Sequence, residues 1–259
     1  MTGPLAKRSF VELPVEVPDL APEVAALPAS AWRTTLWGTP HCSVAHVVLR
    51  GGATGGPEDF TGDAVADRPE LAALPQVAAL IGPDGPFGGC RYAFLFRMAP
   101  GGVTLAHVDG AEVWSRLHRV HVPITTHPAA SLVVEGRACH LAVGRAWTFD
   151  NQALHGFSNG PTERVHLILD APPSARLDAL LARGVVRAGE VDRAAAARTL
   201  ERERGVPSYP GDPWLRASAR ALRDAGWSVD DTLAWLAHHQ IPHPVHGAAW
   251  TADAVAALL

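Results

Sequence analysis

The sequence predicts a mainly β protein, a double-stranded β-helix or jelly roll, followed by a small all-α C-terminal module. Three observations predict it. Eight short runs rich in β-branched and aromatic residues follow one another between Arg91 and Asp170. Turn-forming pairs separate them, among them Pro100-Gly101, His127-Pro128, Glu135-Gly136 and Asn159-Gly160. Beyond Pro172-Pro173 the pattern turns helical. Short strands at near-regular spacing suit an antiparallel sandwich or barrel.

In chain order, residues 1–30 are rich in proline and alanine and read as an arm with one short helix over Ala21–Leu27. Ser43–Leu49 is an apolar, β-branched run and reads as a strand. Gly51–Thr61, with four glycines and a proline, reads as a loop. Glu70–Ile81 reads as a helix that Pro75 kinks or divides. The expected strands are Arg91–Met98, Val103–His107, Val120–Ile124, Leu132–Val134, Ala138–Val143, Ala146–Phe149, His155–Ser158 and Val165–Asp170. Ala175–Leu181 and Val191–Arg204 read as helices, Val206–Pro213 as a linker and Trp214–Ala225 as a further helix. Ser228 with Asp231 three residues on makes an acidic capping box, and Thr251 caps a last short helix. The expected division is 1–174 for the jelly roll and its arm, and 175–259 for the helical module.

Composition removes several function classes. Hydrophobic residues are 47% and charged residues 19% of the 259, as in globular chains that bury a sizeable core. A net charge of -4 argues against a general nucleic-acid surface. Lys7 is the single lysine, so no lysine is placed for a Schiff base and no phosphate-binding G-x-x-x-x-G-K-[ST] loop exists. Anion binding falls to arginine, whose fork pairs with both oxygens of a carboxylate. Cys42, Cys90 and Cys139, without a C-x-x-C, give neither a disulfide framework nor a zinc knuckle. Met1–Val11 lacks the pattern of a signal peptide, and no apolar run is long enough to span a membrane. A cytoplasmic location, with neither nucleic-acid nor membrane partners, is the expectation.

The chemistry centres on His107-Val108-Asp109. Residues i and i+2 of a strand share a face, so one imidazole and one carboxylate can reach the same metal. His155 opens another expected strand. Two histidines and one carboxylate on a β scaffold form the facial triad of non-haem iron(II) oxygenases, which leaves three positions open. A donor set without thiolate disfavours structural zinc. Arg164, at the head of the strand after His155, is placed to hold the far carboxylate of a 2-oxo diacid. Trp114 lies on an expected loop and either lines a substrate pocket or packs locally. Glu112 and Arg116 on that loop either bind the ammonium and carboxylate of an amino acid or solvate the surface. His118, His127, His140 and His166 read as surface or strand histidines, Trp147 as core, and Asp150 and Asn151 as shaping the turn before His155.

The stretch from Trp32 to Asp170 resembles the aspartyl/asparaginyl β-hydroxylase family, which includes bacterial free-amino-acid hydroxylases such as proline cis-4-hydroxylase. The resemblance is carried by Pro100-Gly101, His107, Asp109, Arg119-Val120-His121-Val122-Pro123-Ile124, Gly144, Trp147-Thr148-Phe149-Asp150-Asn151, His155, Asn159, Arg164 and Asp170. It implies iron(II), 2-oxoglutarate and dioxygen as cofactors. It makes His107 and His155 iron ligands, sets Arg119 and His121 near the iron-binding end of 2-oxoglutarate, and gives Arg164 the distal carboxylate. Asp109 departs from the animal peptide-modifying members, which lack the carboxylate ligand, and matches the small-molecule branch. The activity implied is side-chain hydroxylation of a free amino acid in a biosynthetic pathway. Alternatives are hydroxylation of an Asp/Asn-type residue in a peptide or carrier-bound substrate recognised by the C-terminal module, or a non-catalytic, cupin-like binding protein. The C-terminal helices are also the expected surface for a homodimer.

Overall fold

The structure is a computed structural model that describes residues 10–34, 44–53, 64–107, 109, 112–200, 228–238 and 250–257. The expected linker Val206–Pro213 and helix Trp214–Ala225 lie outside the described residues. The strands are β1 (Phe10–Leu13), β2 (Arg33–Thr34), β3 (Val44–Gly52), β4 (Val65–Asp67), β5 (Tyr92–Met98), β6 (Val103–His107), β7 (His118–Thr125), β8 (Ser131–Val134), β9 (Arg137–Cys139), β10 (Ala146–Phe149), β11 (His155–Ser158), β12 (Arg164–Ala171), β13 (Val185–Arg187) and β14 (Glu190–Val191). The helices are α1 (Ala21–Ala25), α2 (Pro75–Ile81), α3 (Glu112–Ser115), α4 (Ala175–Arg183), α5 (Arg193–Leu200), α6 (Val229–His238) and α7 (Ala252–Ala256).

Two antiparallel sheets make the jelly roll. The larger runs β13-β1-β10-β7-β12-β5-β3-β2, with β4 added beside β3; the smaller runs β14-β9-β8-β11-β6. β12 sits near the middle of the larger sheet, paired with β5 on one side and β7 on the other, and every one of its residues is buried. Its alternate residues serve two different interiors. Val165, Leu167, Leu169 and Ala171 join the main apolar core with Val120, Val122, Ala93, Leu95 and residues of α1, α2 and α4. Arg164, His166 and Asp170 occupy the other face, where Arg164 and His166 meet Phe157 of the smaller sheet. Burying an arginine, a histidine and an aspartate on one strand face is costly unless they are paired or bind something. That face marks the site.

The turns follow from sequence chemistry. Glu135 (φ 44°) and Gly136 (φ 81°) both lie in the left-handed region, which makes the two-residue hairpin between β8 and β9. Pro75 divides the expected helix: Pro69–Ala73 forms a 3₁₀ turn and α2 starts at Pro75, where a missing N–H costs nothing. Ser228 and Asp231 form the reciprocal box expected at the head of α6, with Asp231 N–H donating to Ser228 Oγ at 3.1 Å and Ser228 N–H to Asp231 Oδ2 at 3.0 Å. Thr251 Oγ1 caps α7 by accepting from Ala254 N–H at 3.2 Å.

Four expectations need correction. The N-terminal arm contains β1, which pairs with β10 and β13. Four residues before Pro14 carry too little pattern to be read as a strand, and their partners are distant in sequence. The stretch from residue 175 is not all helical: β13 and β14, joined through Gly189 (φ 66°), add an edge strand to the larger and the smaller sheet respectively. The helix expected from Val191 begins at Arg193, because Asp192 Oδ1 caps Ala195 N–H at 2.8 Å. The loop expected to carry Trp114 contains the short helix α3.

Candidate metal centre

His107 ends β6, and His155 opens β11 directly opposite it in the antiparallel register. Such pairs bring side chains on one face within contact, and the two imidazole centroids are 4.3 Å apart. Each ring is aimed from behind. Nδ1–H of His107 donates to Leu105 O at 2.7 Å, and Nδ1–H of His155 donates to Ala153 O at 3.0 Å. A carbonyl only accepts, so both rings carry the proton on Nδ1 and present a bare Nε2 lone pair, the tautomer a metal needs. Burial pushes both pKa values down, His155 to about 3. Both rings are therefore neutral at ordinary pH, as ligands must be.

Asp109 completes the group. Its Oδ1 lies 3.6 Å from His107 Nε2. The donor atoms of His107, Asp109 and His155 all lie within 4.8 Å of one another, a geometry that can hold one metal ion. The carboxylate is not presented by β6 itself, which stops at His107. The turn before β11 holds it instead: Asp109 N–H donates to Asn151 O at 3.2 Å, and Gln152 Nε2–H donates to Asp109 O at 3.0 Å. Asn151 Nδ2–H reaches Asp109 Oδ2 at 3.1 Å. Asn151, read from sequence as a turn former, is a partner of the carboxylate.

Arg119 sits between two acids. Nη1–H donates to Asp109 Oδ2 at 2.6 Å, while Nε and Nη2 grip Asp170 at 2.8 and 3.0 Å. Trp114 lies against this guanidinium, whose carbon is 5.1 Å from the ring centroid, and meets Tyr92 edge-on at 5.3 Å. Trp114 thus packs locally at the margin of the metal group. Arg116 is exposed, and the Glu112 side chain lies outside the described residues.

Arg164 is a cation buried on the same side of the larger sheet. Only 2% of it is exposed, and it has no carboxylate partner among the described residues. Its contacts are Phe157, whose ring centroid is 3.7 Å from the guanidinium carbon, and Met98 Sδ at 3.8 Å from Nη1. Burial pulls its pKa down to about 9. His121 and His166 lie close by, with their Nδ1 atoms 3.5 Å apart. Burial first, then the Arg164 charge, drives both histidines well below their usual range. Of the two readings open for His166, surface or strand, the structure gives the strand and buries the ring fully on this wall; its spacing of two from Arg164 on one strand was the available signal.

The wall therefore joins a His-Asp-His group to a buried, unneutralised guanidinium. Residues 60–173 match the Aspartyl/Asparaginyl beta-hydroxylase family. The match runs from β4 to β12 and includes every residue of the centre just described. Solved structures similar to the chain include a 2OG-Fe(II) oxygenase family oxidoreductase from Burkholderia pseudomallei, 16% identical, covering 67% of this chain and 79% of that one with a TM-score of 0.43. A Pseudomonas putida prolyl-4-hydroxylase is 15% identical and covers 64% of this chain and 93% of that one, with a TM-score of 0.38. A cupin domain from Bordetella pertussis is 25% identical and covers 32% of this chain and 81% of that one, with a TM-score of 0.26. No helix among the described residues is long and apolar enough to cross a membrane.

Proposed function

We propose that the protein is an iron(II)- and 2-oxoglutarate-dependent dioxygenase that hydroxylates the side chain of a free amino acid. The observation that carries this reading is Arg164, a buried cation without a carboxylate partner among the described residues, on the wall that faces the His107–Asp109–His155 group. A site containing a metal group alone would not need that charge. A site for a diacid that chelates the metal at one end needs it at the other.

The dimensions support the same reading. Phe157, on which Arg164 stacks, follows His155 by two residues on β11, about 7 Å along the strand. That is comparable to the length of a five-carbon diacid. The donors fit the metal as well, since two neutral imidazoles and one carboxylate suit iron(II) and leave positions for a chelating co-substrate and dioxygen. Bound iron supplies the redox chemistry that divides dioxygen, one oxygen atom going to succinate as carbon dioxide leaves and the other to the new hydroxyl group. The chain's own residues hold the ligand geometry, neutralise the far carboxylate through Arg164 and keep His121 neutral beside it. With iron(II), the dianion, Asp109, Asp170, Arg119 and Arg164 together, the buried charges cancel. The apolar wall around Tyr92, Phe94 and Trp114 shields one side from water.

The test is anaerobic addition of iron(II) and then 2-oxoglutarate, followed by an aerobic screen of amino acids for succinate release. A metal-to-ligand charge-transfer band and amino-acid-dependent succinate are expected. His107→Ala should abolish both signals. Full activity in that variant, or turnover of peptides with none of free amino acids, would overturn the reading in its ligand set or its substrate class respectively.

A further inference from the structure

We infer that Arg119, Asp170 and Asn151 are positioning residues that hold Asp109 as a one-oxygen metal ligand. The inference rests on the metal reading above and goes beyond it. The resemblance places Arg119 on the co-substrate; in this structure its hydrogen bonds go to two carboxylates instead.

The two oxygens of Asp109 are treated differently. Oδ2 takes two side-chain hydrogen bonds, from Arg119 at 2.6 Å and from Asn151 at 3.1 Å. Oδ1 is the oxygen on the His107 side. A carboxylate free to swing can bind a metal through both oxygens and occupy a second coordination position. With two donors held on Oδ2, only Oδ1 is offered, and that position stays open for co-substrate or dioxygen.

Arg119 can do this only because it is itself fixed. Asp170 lies directly opposite it in the β7–β12 register and accepts from Nε and Nη2, a fork that sets the guanidinium plane. Asp170 is fully buried, and Arg119 is the counter-charge that pairs with it. Trp114 lies over the remaining face of the guanidinium. Asn151 is fixed from the other side, since its own carbonyl accepts from Asp109 N–H. The carboxylate is therefore clamped between the larger sheet and the β10–β11 turn.

The test is anaerobic Co(II) titration of the full-length protein, read by the visible d–d bands, together with steady-state KM for 2-oxoglutarate. Asp170→Asn should weaken Co(II) binding about 10–100-fold, the usual effect of losing such a partner. Its bands should shift as Oδ2 is released toward the metal, and any rise in KM for 2-oxoglutarate should come only together with that shift. Asn151→Ala should weaken Co(II) binding by less and shift the bands the same way. This second variant carries the test if thermal melts show that Asp170→Asn does not fold. Wild-type Co(II) affinity and bands in a folded Asp170→Asn and in Asn151→Ala would overturn the inference. So would a raised KM for 2-oxoglutarate with unaltered Co(II) binding, which would return Arg119 to the co-substrate. If the wild-type protein takes up no Co(II), or His107→Ala takes up as much, the metal reading itself fails and the inference falls with it.

Discussion

Replacing Arg164 with methionine should make the ligand-free protein more stable and deaf to 2-oxoglutarate. The guanidinium is buried against Phe157 and Met98, and burial alone draws its pKa down to about 9. One pKa unit is worth about 1.36 kcal/mol, so the ligand-free fold carries a penalty of roughly 5 kcal/mol for keeping this charge. The sign is clear: burial disfavours the cation, and at neutral pH the group is charged in both folded and unfolded chains. An apolar replacement removes the penalty, and exchanging a buried charge for a well-packed apolar side chain is neutral or stabilising by about 1–4 kcal/mol. A dianion relieves the same penalty in the wild type. At a hundred times its dissociation constant a ligand stabilises by about 2.7 kcal/mol, which raises the melting temperature by roughly 5–11 °C for a chain of this size. The assay is a melting curve under anaerobic conditions with Mn(II), with and without 2-oxoglutarate. The expected pattern is a clear upward shift for the wild type and none for Arg164→Met, whose ligand-free midpoint lies at or above that of the wild type. A ligand-free variant that melts well below wild type would show that the guanidinium has a structural partner. A retained shift would show that the diacid binds elsewhere.

Three further outcomes follow from the same interior. His121 and His166 are held neutral by burial and by Arg164, so the folded chain cannot take protons that the unfolded chain accepts below its usual histidine pKa; stability should be level above about pH 6.5 and fall below it, by up to about 1.36 kcal/mol per pH unit for each ring. Urea unfolding at pH 7 and pH 5 checks this, and His166→Leu should flatten the slope, whereas an unchanged slope would refute the assignment. A Cβ on Gly156 would lie 2.7 Å from Thr104 O and 2.9 Å from Thr199 Cβ, so Gly156→Ala should push β11 away from β6 and α5. Loss of about 1–3 kcal/mol in a denaturation curve is expected, with weaker Co(II) binding because β6 and β11 carry the two histidines. Cys90 is buried and its thiol is pushed up to about 12, so it should resist alkylation at pH 8 until the chain unfolds, as mass spectrometry of the labelled protein would show.

Sequence by itself determined the local grammar of this protein. Alternation, turn pairs and caps placed most strands, divided the helix at Pro75 and located the capping boxes, because each depends on neighbours a few residues apart. It also singled out His107, Asp109 and His155, whose donor atoms the fold brings within 4.8 Å of one another, and Arg164, which the fold buries. The tertiary structure alone decided what those side chains meet. Asp109 is held by Arg119 of β7, by Asn151 of the β10–β11 turn and, through Arg119, by Asp170 of β12, four positions scattered over the chain that no local period connects. The same holds for β1, a short strand whose pairing energy comes from distant β10 and β13, and for His166, whose burial depends on which sheet covers its face. Periodicity reports which way a side chain points; only the packed sheets fix what lies at the end of it.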